Sequence, residues 1–271
     1  MDTVLVTGGL GYIGSHISFC MIKEGYKVVV LDSLVNTFES SYINLKNLID
    51  SEGLNSNEKL FFEKGDVRDK KFLDNVFSTY TQSNKAISSV IHLAGLKSIK
   101  MSIVNPIQYW DINVNGTLSL LSIMSRYKCH NLIYSSSATV YKPKGFNMFN
   151  ENDDLKPNNP YGKTKLAVEE ILKDLCYTNS GIKWKIANLR YFNPVGAHHS
   201  GIIGEKPKCE STNLFPSIVN VFQKKQKQLF IFGNNWPTKD GTCIRDFIHV
   251  MDLAEAHISA LNYILSSKAQ N

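Results

Sequence analysis

The stretch Thr3-Val-Leu-Val-Thr-Gly-Gly-Leu-Gly-Tyr-Ile-Gly14 determines the fold class. Its first five residues are apolar or β-branched, which is typical of a buried strand, and Gly8, Gly11 and Gly14 follow at G-x-x-G-x-x-G spacing. An amphipathic segment from Ile13 to Glu24 comes next. Glycines at a strand-to-helix turn let the backbone approach a pyrophosphate, whose charge meets the N–H groups of the helix N-terminus. The stretch therefore predicts a dinucleotide site, although tight turns also use glycine for purely conformational reasons.

Short β-branched runs alternate with amphipathic segments along most of the chain. Alternation at this spacing predicts a parallel sheet with helices on both faces, and near-continuous apolar strands fit that burial. The predicted fold is therefore a doubly wound α/β sheet of the Rossmann type. The predicted strands are Thr3–Thr7, Lys27–Leu31, Leu60–Glu63, Val90–Leu93, Asn131–Ser135 and Trp184–Leu189.

The regular alternation ends after Arg190. Four prolines and a loop-rich stretch follow, and one clear helix remains near Ser217 to Lys224. We therefore divide the chain into a Rossmann domain at residues 1–190 and a smaller substrate-binding lobe at residues 191–271.

Composition limits the classes of partner. The net charge is +6, and the basic residues are distributed along the chain apart from a short cluster at residues 224–227, so nucleic acid is not expected as a partner.

Five cysteines without a CxxC pair favour free thiols in a reducing compartment and no metal site. No apolar stretch approaches the ~20 residues of a membrane helix, and no signal peptide is evident. The sequence predicts a cytoplasmic protein without a membrane anchor.

Asp32 indicates which dinucleotide would bind. It ends the second predicted strand, inside the window of about 20 residues where a carboxylate holds the adenosine ribose hydroxyls. A carboxylate there repels a 2′-phosphate, so NAD is favoured over NADP. Asp66 follows the third strand and either lies near the adenine or caps the next helix. His92 lies inside an apolar strand, where we expect a hydrogen-bonded core residue rather than a ligand.

Tyr161 and Lys165 are the candidate catalytic pair. They lie four residues apart in a helical segment after Pro160 and share an inward-facing stripe with Val168 and Leu172. A lysine on such a stripe needs a partner, and a cofactor ribose would supply hydroxyls. We expect its charge, and also the nicotinamide ring of the cofactor, to lower the pKa of the neighbouring phenol from about 10, which would make the tyrosine a base. The alternative is an ordinary helix with a lysine that reaches solvent.

Ser137 is the third candidate catalytic residue. It closes the run Leu132-Ile-Tyr-Ser-Ser-Ser137, and three consecutive serines at the end of a buried strand lack an obvious structural reason. Its hydroxyl would orient a substrate oxygen.

Seven segments resemble the UDP-glucose 4-epimerases of the extended short-chain dehydrogenase/reductase superfamily. The glycine turn and the Tyr–Lys pair are shared with the whole superfamily, whereas the segments that begin at Arg190 and Arg245 are more particular to the epimerases. The resemblance extends over the whole chain, and the segments follow one another in the same order as in that family. The segments are Thr7–His16, Ala94–Lys97, Asn113–Thr117, Ser135–Tyr141, Tyr161–Lys165, Arg190–Ala197 and Arg245–Val250.

The resemblance implies bound NAD and a nucleotide-sugar substrate, UDP-glucose or UDP-galactose. The implied NAD contacts, which join the turn glycines Gly8, Gly11 and Gly14, are Tyr12, Ile13, Asp32, Ser33, Leu34, Val35, Asn36, Thr37, Asp66, Val67, Leu93, Ala94, Gly95, Leu96, Lys97, Ser137, Tyr161, Lys165 and Phe192. The implied nucleotide-sugar contacts, which join Ser137, are Asn193, Asn213, Leu214, Phe230, Ile231, Phe232 and Arg245. Arg245 suits a diphosphate, and a local ion pair with Asp246 is its alternative role.

The implied reaction is a transient oxidation without net redox change. Tyr161 as phenolate removes the proton of the sugar 4-hydroxyl while hydride passes from C4 to NAD, and the keto sugar takes the hydride back on its other face. A homodimer is implied by the resemblance alone.

Two other functions compete with an epimerase. A nucleotide-sugar 4,6-dehydratase begins with the same oxidation, but such enzymes carry Asp-Glu where this chain has Ala138-Thr139. The second competing function is that of a non-catalytic NAD-binding sensor or a truncated, inactive paralogue. It stays open because we expect a family member to continue for dozens of residues beyond Asn271.

Overall fold

The computed structural model describes residues 2–145, 148–177, 181–208 and 213–266. Cys209 and residues 267–271 lie outside the described residues. The first half contains β1 (Thr3–Thr7), α1 (Tyr12–Lys23), β2 (Lys27–Asp32), α2 (Glu39–Ser51), α3 (Ser56–Lys59), β3 (Leu60–Lys64), α4 (Lys70–Gln82), β4 (Ile87–His92), α5 (Ile99–Val104) and α6 (Pro106–Trp110). There follow a π-helical turn (Asp111–Asn115), α7 (Gly116–Arg126), β5 (Asn131–Ser135), a 3-10 turn (Ala138–Val140), α8 (Pro160–Cys176), β6 (Lys185–Leu189), β7 (Asn193–Val195), α9 (Leu214–Phe222), β8 (Phe247–His249) and α10 (Val250–Leu265).

Six parallel strands form the central sheet in the order β3-β2-β1-β4-β5-β6. Leu5 at the centre of β1 is in register with Val29 of β2 on one side and Val90 of β4 on the other. The strand order reverses between β1 and β4, and an open α/β sheet binds its ligands in the crevice at such a switch point. The prediction of a doubly wound parallel sheet is confirmed.

Two hydrophobic layers cover the sheet. One contains side chains of α1, α2 and α10, and the other contains side chains of α4, α7 and α8. Helix α10 belongs to the first layer although it follows residue 190, so part of the predicted second lobe shares its core with the Rossmann domain. The boundary at residue 190 therefore remains a prediction, namely that residues 191–271 bind the substrate.

Element bounds differ from the predicted ones where local chemistry overrides the apolar pattern. Strand β4 begins at Ile87 rather than Val90, because Ser89 is polar in sequence yet buried in the sheet. Helix α9 begins at Leu214, since Pro216 lies in the first turn, where a missing N–H costs no helical hydrogen bond.

Beyond the sheet, β7 and β8 form a separate two-stranded parallel pair.

No helix in the described ranges combines the length and apolar character needed to span a bilayer. Four cysteines are free thiols, namely Cys20, Cys129, Cys176 and Cys243. Within the same ranges, no three His, Cys, Asp or Glu side chains are arranged to hold a metal ion.

Candidate active site

The glycines of the β1–α1 turn serve different purposes. Gly8 has a φ of 67°, and a Cβ there would lie 3.0 Å from the Ala94 nitrogen. A Cβ at Gly14 would lie 2.3 Å from the Gly8 oxygen, so conformation and packing explain both glycines. A Cβ at Gly11 would meet only that oxygen, at 3.1 Å. The open side of Gly11 leaves room for a ligand at the N-terminus of α1, where the first N–H groups have no intrahelical acceptor.

Asp32 is buried at the end of β2 and organises the neighbouring loops. Its Oδ2 accepts from the Leu10 N–H at 3.1 Å, and its Oδ1 accepts from the Leu34 N–H at 2.9 Å and from the Thr37 hydroxyl at 3.1 Å. A carboxylate has about four acceptor positions, so one remains for a ribose hydroxyl. The carboxylate thus joins the glycine turn to the loop at residues 33–37.

Asp66 does not cap the helix that follows it, so that alternative is wrong. Asp69 caps α4 by accepting from the Phe72 N–H at 3.0 Å. Asp66 pairs with Arg68 at 2.6 Å, and Arg68 also binds Asp111 at 2.6 Å. The hydrogen bond from Arg68 lowers the pKa of Asp66, which keeps a carboxylate at the end of β3.

His92 is a satisfied core residue, as predicted. Its Nδ1 lies 2.7 Å from the Thr7 hydroxyl oxygen and its Nε2 lies 2.9 Å from the Thr117 hydroxyl oxygen. Burial lowers the pKa of His92 to about 3. The imidazole is therefore neutral and ties β1, β4 and α7 together beneath the crevice.

Helix α8 brings the catalytic candidates together. Its N-cap is Asn159, whose side chain accepts from the Gly162 N–H at 2.8 Å, so Tyr161 lies in the first turn. The Ser137 hydroxyl lies near the Tyr161 phenol and acts to lower the pKa of Tyr161. The Thr139 hydroxyl donates to Ser137 at 3.0 Å and fixes it from the other side.

Lys165 is buried one turn further along α8. Its Nζ donates to the Ser135 carbonyl at 2.6 Å and lies 4.9 Å from the Tyr134 ring centroid and 6.0 Å from that of Tyr161. Burial lowers the pKa of Lys165 to about 8, and Glu169 opposes this shift. Ser135 is the only acceptor for Lys165 among the described residues, so two of its three N–H groups remain for a ribose.

The predicted lowering of the tyrosine pKa by Lys165 is wrong for this structure. Burial raises the pKa of Tyr161 to about 12, although Ser137 opposes the shift. At 6.0 Å from the ring centroid, the ammonium does not offset the loss of water around the phenol.

A buried ion pair below the catalytic cluster was missed by sequence reasoning. Arg190 Nη2 donates to Glu169 Oε2 at 2.6 Å, and the two side chains are 17% and 4% exposed. Ser136 donates to Glu169, while the Ser135 hydroxyl bonds the Tyr191 hydroxyl. Each of the three consecutive serines thus has a partner. The only sequence signal for Glu169 was its position four residues after Lys165 on the inward stripe.

Asn113 was noted in a motif without a role. Its Oδ1 accepts from the Leu96 N–H at 2.7 Å, and its Nδ2 donates to the Leu96 carbonyl at 3.1 Å and to the Thr164 hydroxyl at 3.1 Å. The amide thereby fastens the loop after β4, which contains the predicted NAD contacts at residues 93–97, to the first turns of α8.

The predicted substrate contacts lie on a more open part of the chain. Asn193 donates to the Asp246 carbonyl at 2.9 Å and links β7 to the segment before β8. Arg245 is exposed and donates to the Ile244 carbonyl at 2.9 Å rather than pairing with Asp246, so the ion-pair alternative is wrong. The predicted apolar substrate contacts Leu214, Phe230, Ile231 and Phe232 are all exposed, and so is Phe192, which was predicted as an NAD contact.

The sheet order, the glycine turn at its switch point and the half-buried Tyr161 beside the buried Lys165 are features of a dinucleotide-binding protein of the short-chain dehydrogenase/reductase kind. The profile of the NAD dependent epimerase/dehydratase family matches residues 4–270, and the chain belongs to this family.

Relatives and solved structures agree with this assignment. The chain is 45% identical over 267 residues to UDP-glucose 4-epimerase 2 of Oryza sativa subsp. japonica; the match covers 98% of the chain and 63% of the rice protein. A UDP-glucose 4-epimerase from Stenotrophomonas maltophila, solved with NAD and formylated UDP-arabinopyranose, has a TM-score of 0.89 and 39% identity over 99% of this chain and 76% of its own. The Bifidobacterium longum enzyme, in complex with NAD+ and UDP, has a TM-score of 0.87 and 38% identity over 97% and 74% of the two chains. The chain thus spans between 63% and 76% of these proteins.

Proposed function

We propose that this chain interconverts UDP-glucose and UDP-galactose with a bound NAD. The observation that carries the proposal is the proximity of Ser137 to Tyr161 beside the buried Lys165, at the carboxyl edge of the sheet. The names of relatives at 42–45% identity across nearly the whole chain support the same reaction.

The residues present fit a dinucleotide at this edge. The open side of Gly11, the remaining acceptor position of Asp32 and the available N–H groups of Lys165 are the features that support the fit. Asp32 would hold the adenosine ribose, the start of α1 would receive the pyrophosphate, and Lys165 would hold the nicotinamide ribose. NAD supplies a reversible hydride acceptor for the sugar carbon.

In the proposed mechanism, Tyr161 transfers the proton and its neighbours position the substrate. Ser137 would orient the sugar 4-hydroxyl, and the Tyr161 oxygen would take its proton and return it after the keto sugar has turned over. Because burial raises the pKa of Tyr161 to about 12, the phenolate needs positive charge close by. Lys165, whose pKa stays near 8 with help from Glu169, supplies only part of that charge, and the nicotinamide ring of bound NAD would supply the rest.

A 4,6-dehydratase is less well supported. Elimination of water requires a carboxylate acid/base pair, whereas the 3-10 turn after Ser137 carries Ala138 and Thr139. The Thr139 hydroxyl is occupied in positioning Ser137.

The same proposal extends to assembly and location. We propose a homodimer, as the resemblance implies, and a cytoplasmic location, as the cysteine pattern indicates; light scattering and cell fractionation would test the two parts. Exposed apolar side chains on α5 and α6, such as Ile103, Val104 and Ile107, support an interface on these helices.

The first experiment measures the NAD content and the turnover of UDP-galactose in the same preparation. We expect the supernatant of denatured protein to contain NAD and not NADP, and the native protein to convert UDP-galactose into UDP-glucose. Enzymatic assay of the supernatant and NMR of the sugar nucleotides measure the two quantities. NADP in the supernatant would contradict the argument from Asp32, and a chain that neither contains nor binds NAD would contradict the proposed function.

A further inference from the structure

The segment at residues 196–208, here called the crossing segment, follows β7 and is anchored to α1. Its Ile203 is buried in the hydrophobic layer that contains α1, and the His198 ring packs edge-on against Phe19 with centroids 4.8 Å apart. The His198 imidazole also bonds the Ser200 hydroxyl at 2.8 Å, which braces the turn. These contacts fix the side of the crossing segment that faces α1.

Two contacts join the crossing segment to the start of α1, directly after the β1 turn, and to the loop that follows β4. The Tyr12 hydroxyl donates to the Gly196 carbonyl at 2.7 Å, and Lys97 Nζ lies 3.4 Å from Glu205 Oε1. Burial and then the Glu205 carboxylate raise the pKa of Tyr12. Tyr12 and Lys97 lie on the two sides of the switch point between β1 and β4.

A third contact joins the crossing segment to the loop that follows β2. Lys208 Nζ donates to the Leu34 carbonyl at 2.5 Å. Leu34 has a φ of 58°, and Asp32 accepts from its N–H at 2.9 Å. Lys206 and Lys208 also lie 5.2 Å and 5.3 Å from the Phe38 ring centroid. The loop at residues 33–38 is thus held by Asp32 from one side and by Lys208 from the other.

Because β2, β1 and β4 are adjacent, the crossing segment spans the ends of three neighbouring strands at the carboxyl edge of the sheet. The residues that follow each of these strands include predicted NAD contacts. We propose that the crossing segment retains NAD, with Glu205 and Lys208 closing it over the dinucleotide so that the cofactor leaves only when these contacts open. The inference takes its cofactor from the proposed function but concerns NAD dissociation and not the sugar chemistry. Retention suits a reaction that returns its hydride in every cycle.

The test is the rate of NAD release from Lys208→Met. Protein loaded with radiolabelled NAD is chased with excess unlabelled NAD, and bound label is followed by filtration. Loss of a charge-assisted hydrogen bond is expected to speed release about tenfold or more. Glu205→Gln is expected to have a smaller effect, about two- to fivefold, because its partner Lys97 is 54% exposed.

Two variants at the same end of the segment serve as controls. Lys206→Met removes the same charge and the same kind of contact with Phe38, and its release rate is expected to stay within about twofold of the parent. Lys208→Arg keeps a donor for the Leu34 carbonyl and is expected to restore slow release. Thermal unfolding of the NAD-free proteins checks that the fold is unchanged.

Parent-like release from both Lys208→Met and Glu205→Gln would overturn the inference. Equal acceleration by Lys206→Met and Lys208→Met would also overturn it, because general charge attraction would then explain retention. A parent that neither contains NAD as purified nor takes up label would refute this inference together with the cofactor assignment. A parent that retains NAD but converts no UDP-galactose would refute the proposed reaction alone.

Discussion

Tyr161→Phe is expected to slow the conversion of UDP-galactose by about 10²–10⁴-fold, the usual contribution of a general acid–base group, while NAD stays bound. The change deletes one oxygen and keeps the ring beside Lys165, so the helix and its packing should survive. Ser137 loses a polar neighbour but keeps its hydrogen bond from Thr139. Initial rates and NAD content of the purified variant give both quantities.

Tyr177→Phe is the matched control for this prediction. Tyr177 follows the same helix, is 75% exposed, and loses the same oxygen far from the crevice, so its activity should equal that of the parent. Lys165→Ala should lose activity and also retain less NAD, because it removes a ribose donor as well as the charge. Tyr161→Phe with the parent's turnover rate would show that the tyrosine is not the base.

Glu169→Gln is expected to lower the free energy of unfolding by about 3–5 kcal/mol. The amide still accepts from Ser136, but Arg190 is left as a largely buried charge without its counterion. Urea unfolding of the parent and the variant at pH 7 measures the difference.

Two comparisons isolate the ion pair in that experiment. Glu170→Gln removes the same charge from the exposed neighbouring position and should change stability by less than about 0.5 kcal/mol. The double variant Glu169→Gln/Arg190→Met should recover part of the loss, because replacing both partners avoids an unpaired buried charge. Equal urea midpoints for the parent and Glu169→Gln would contradict the structural role of the pair.

The sequence predicted those features that depend on local pattern. The run Thr3–Thr7 matches β1 residue for residue because an uninterrupted apolar or β-branched run indicates a buried strand directly, and Asn131–Ser135 matches β5, whose centre is apolar. Tyr161 and Lys165 were found because the helical repeat places both on one inward stripe. The helix predicted near Ser217 to Lys224 overlaps α9, which runs from Leu214 to Phe222 and has no buried residue.

Contacts between distant parts of the chain could not be predicted this way. The Glu169–Arg190 pair joins residues 21 apart, and the contact from Lys208 to the Leu34 carbonyl joins residues 174 apart. Each depends on how helices and loops pack on the sheet, which a single sequence without its relatives does not encode as a spacing. The pKa of Tyr161 was misjudged for a similar reason, since burial of the phenol outweighs the effect of the nearby lysine.

The fate of the hydrogen on the sugar C4 tests the central claim most directly. The purified, NAD-containing chain is incubated with UDP-galactose deuterated at C4, and the products are followed by NMR. The proposed chemistry predicts UDP-glucose with deuterium retained at C4, because the hydride leaves and returns within the same closed site. A 6-deoxy-4-keto sugar, loss of the deuterium to solvent, or an unchanged substrate in the presence of bound NAD would contradict it.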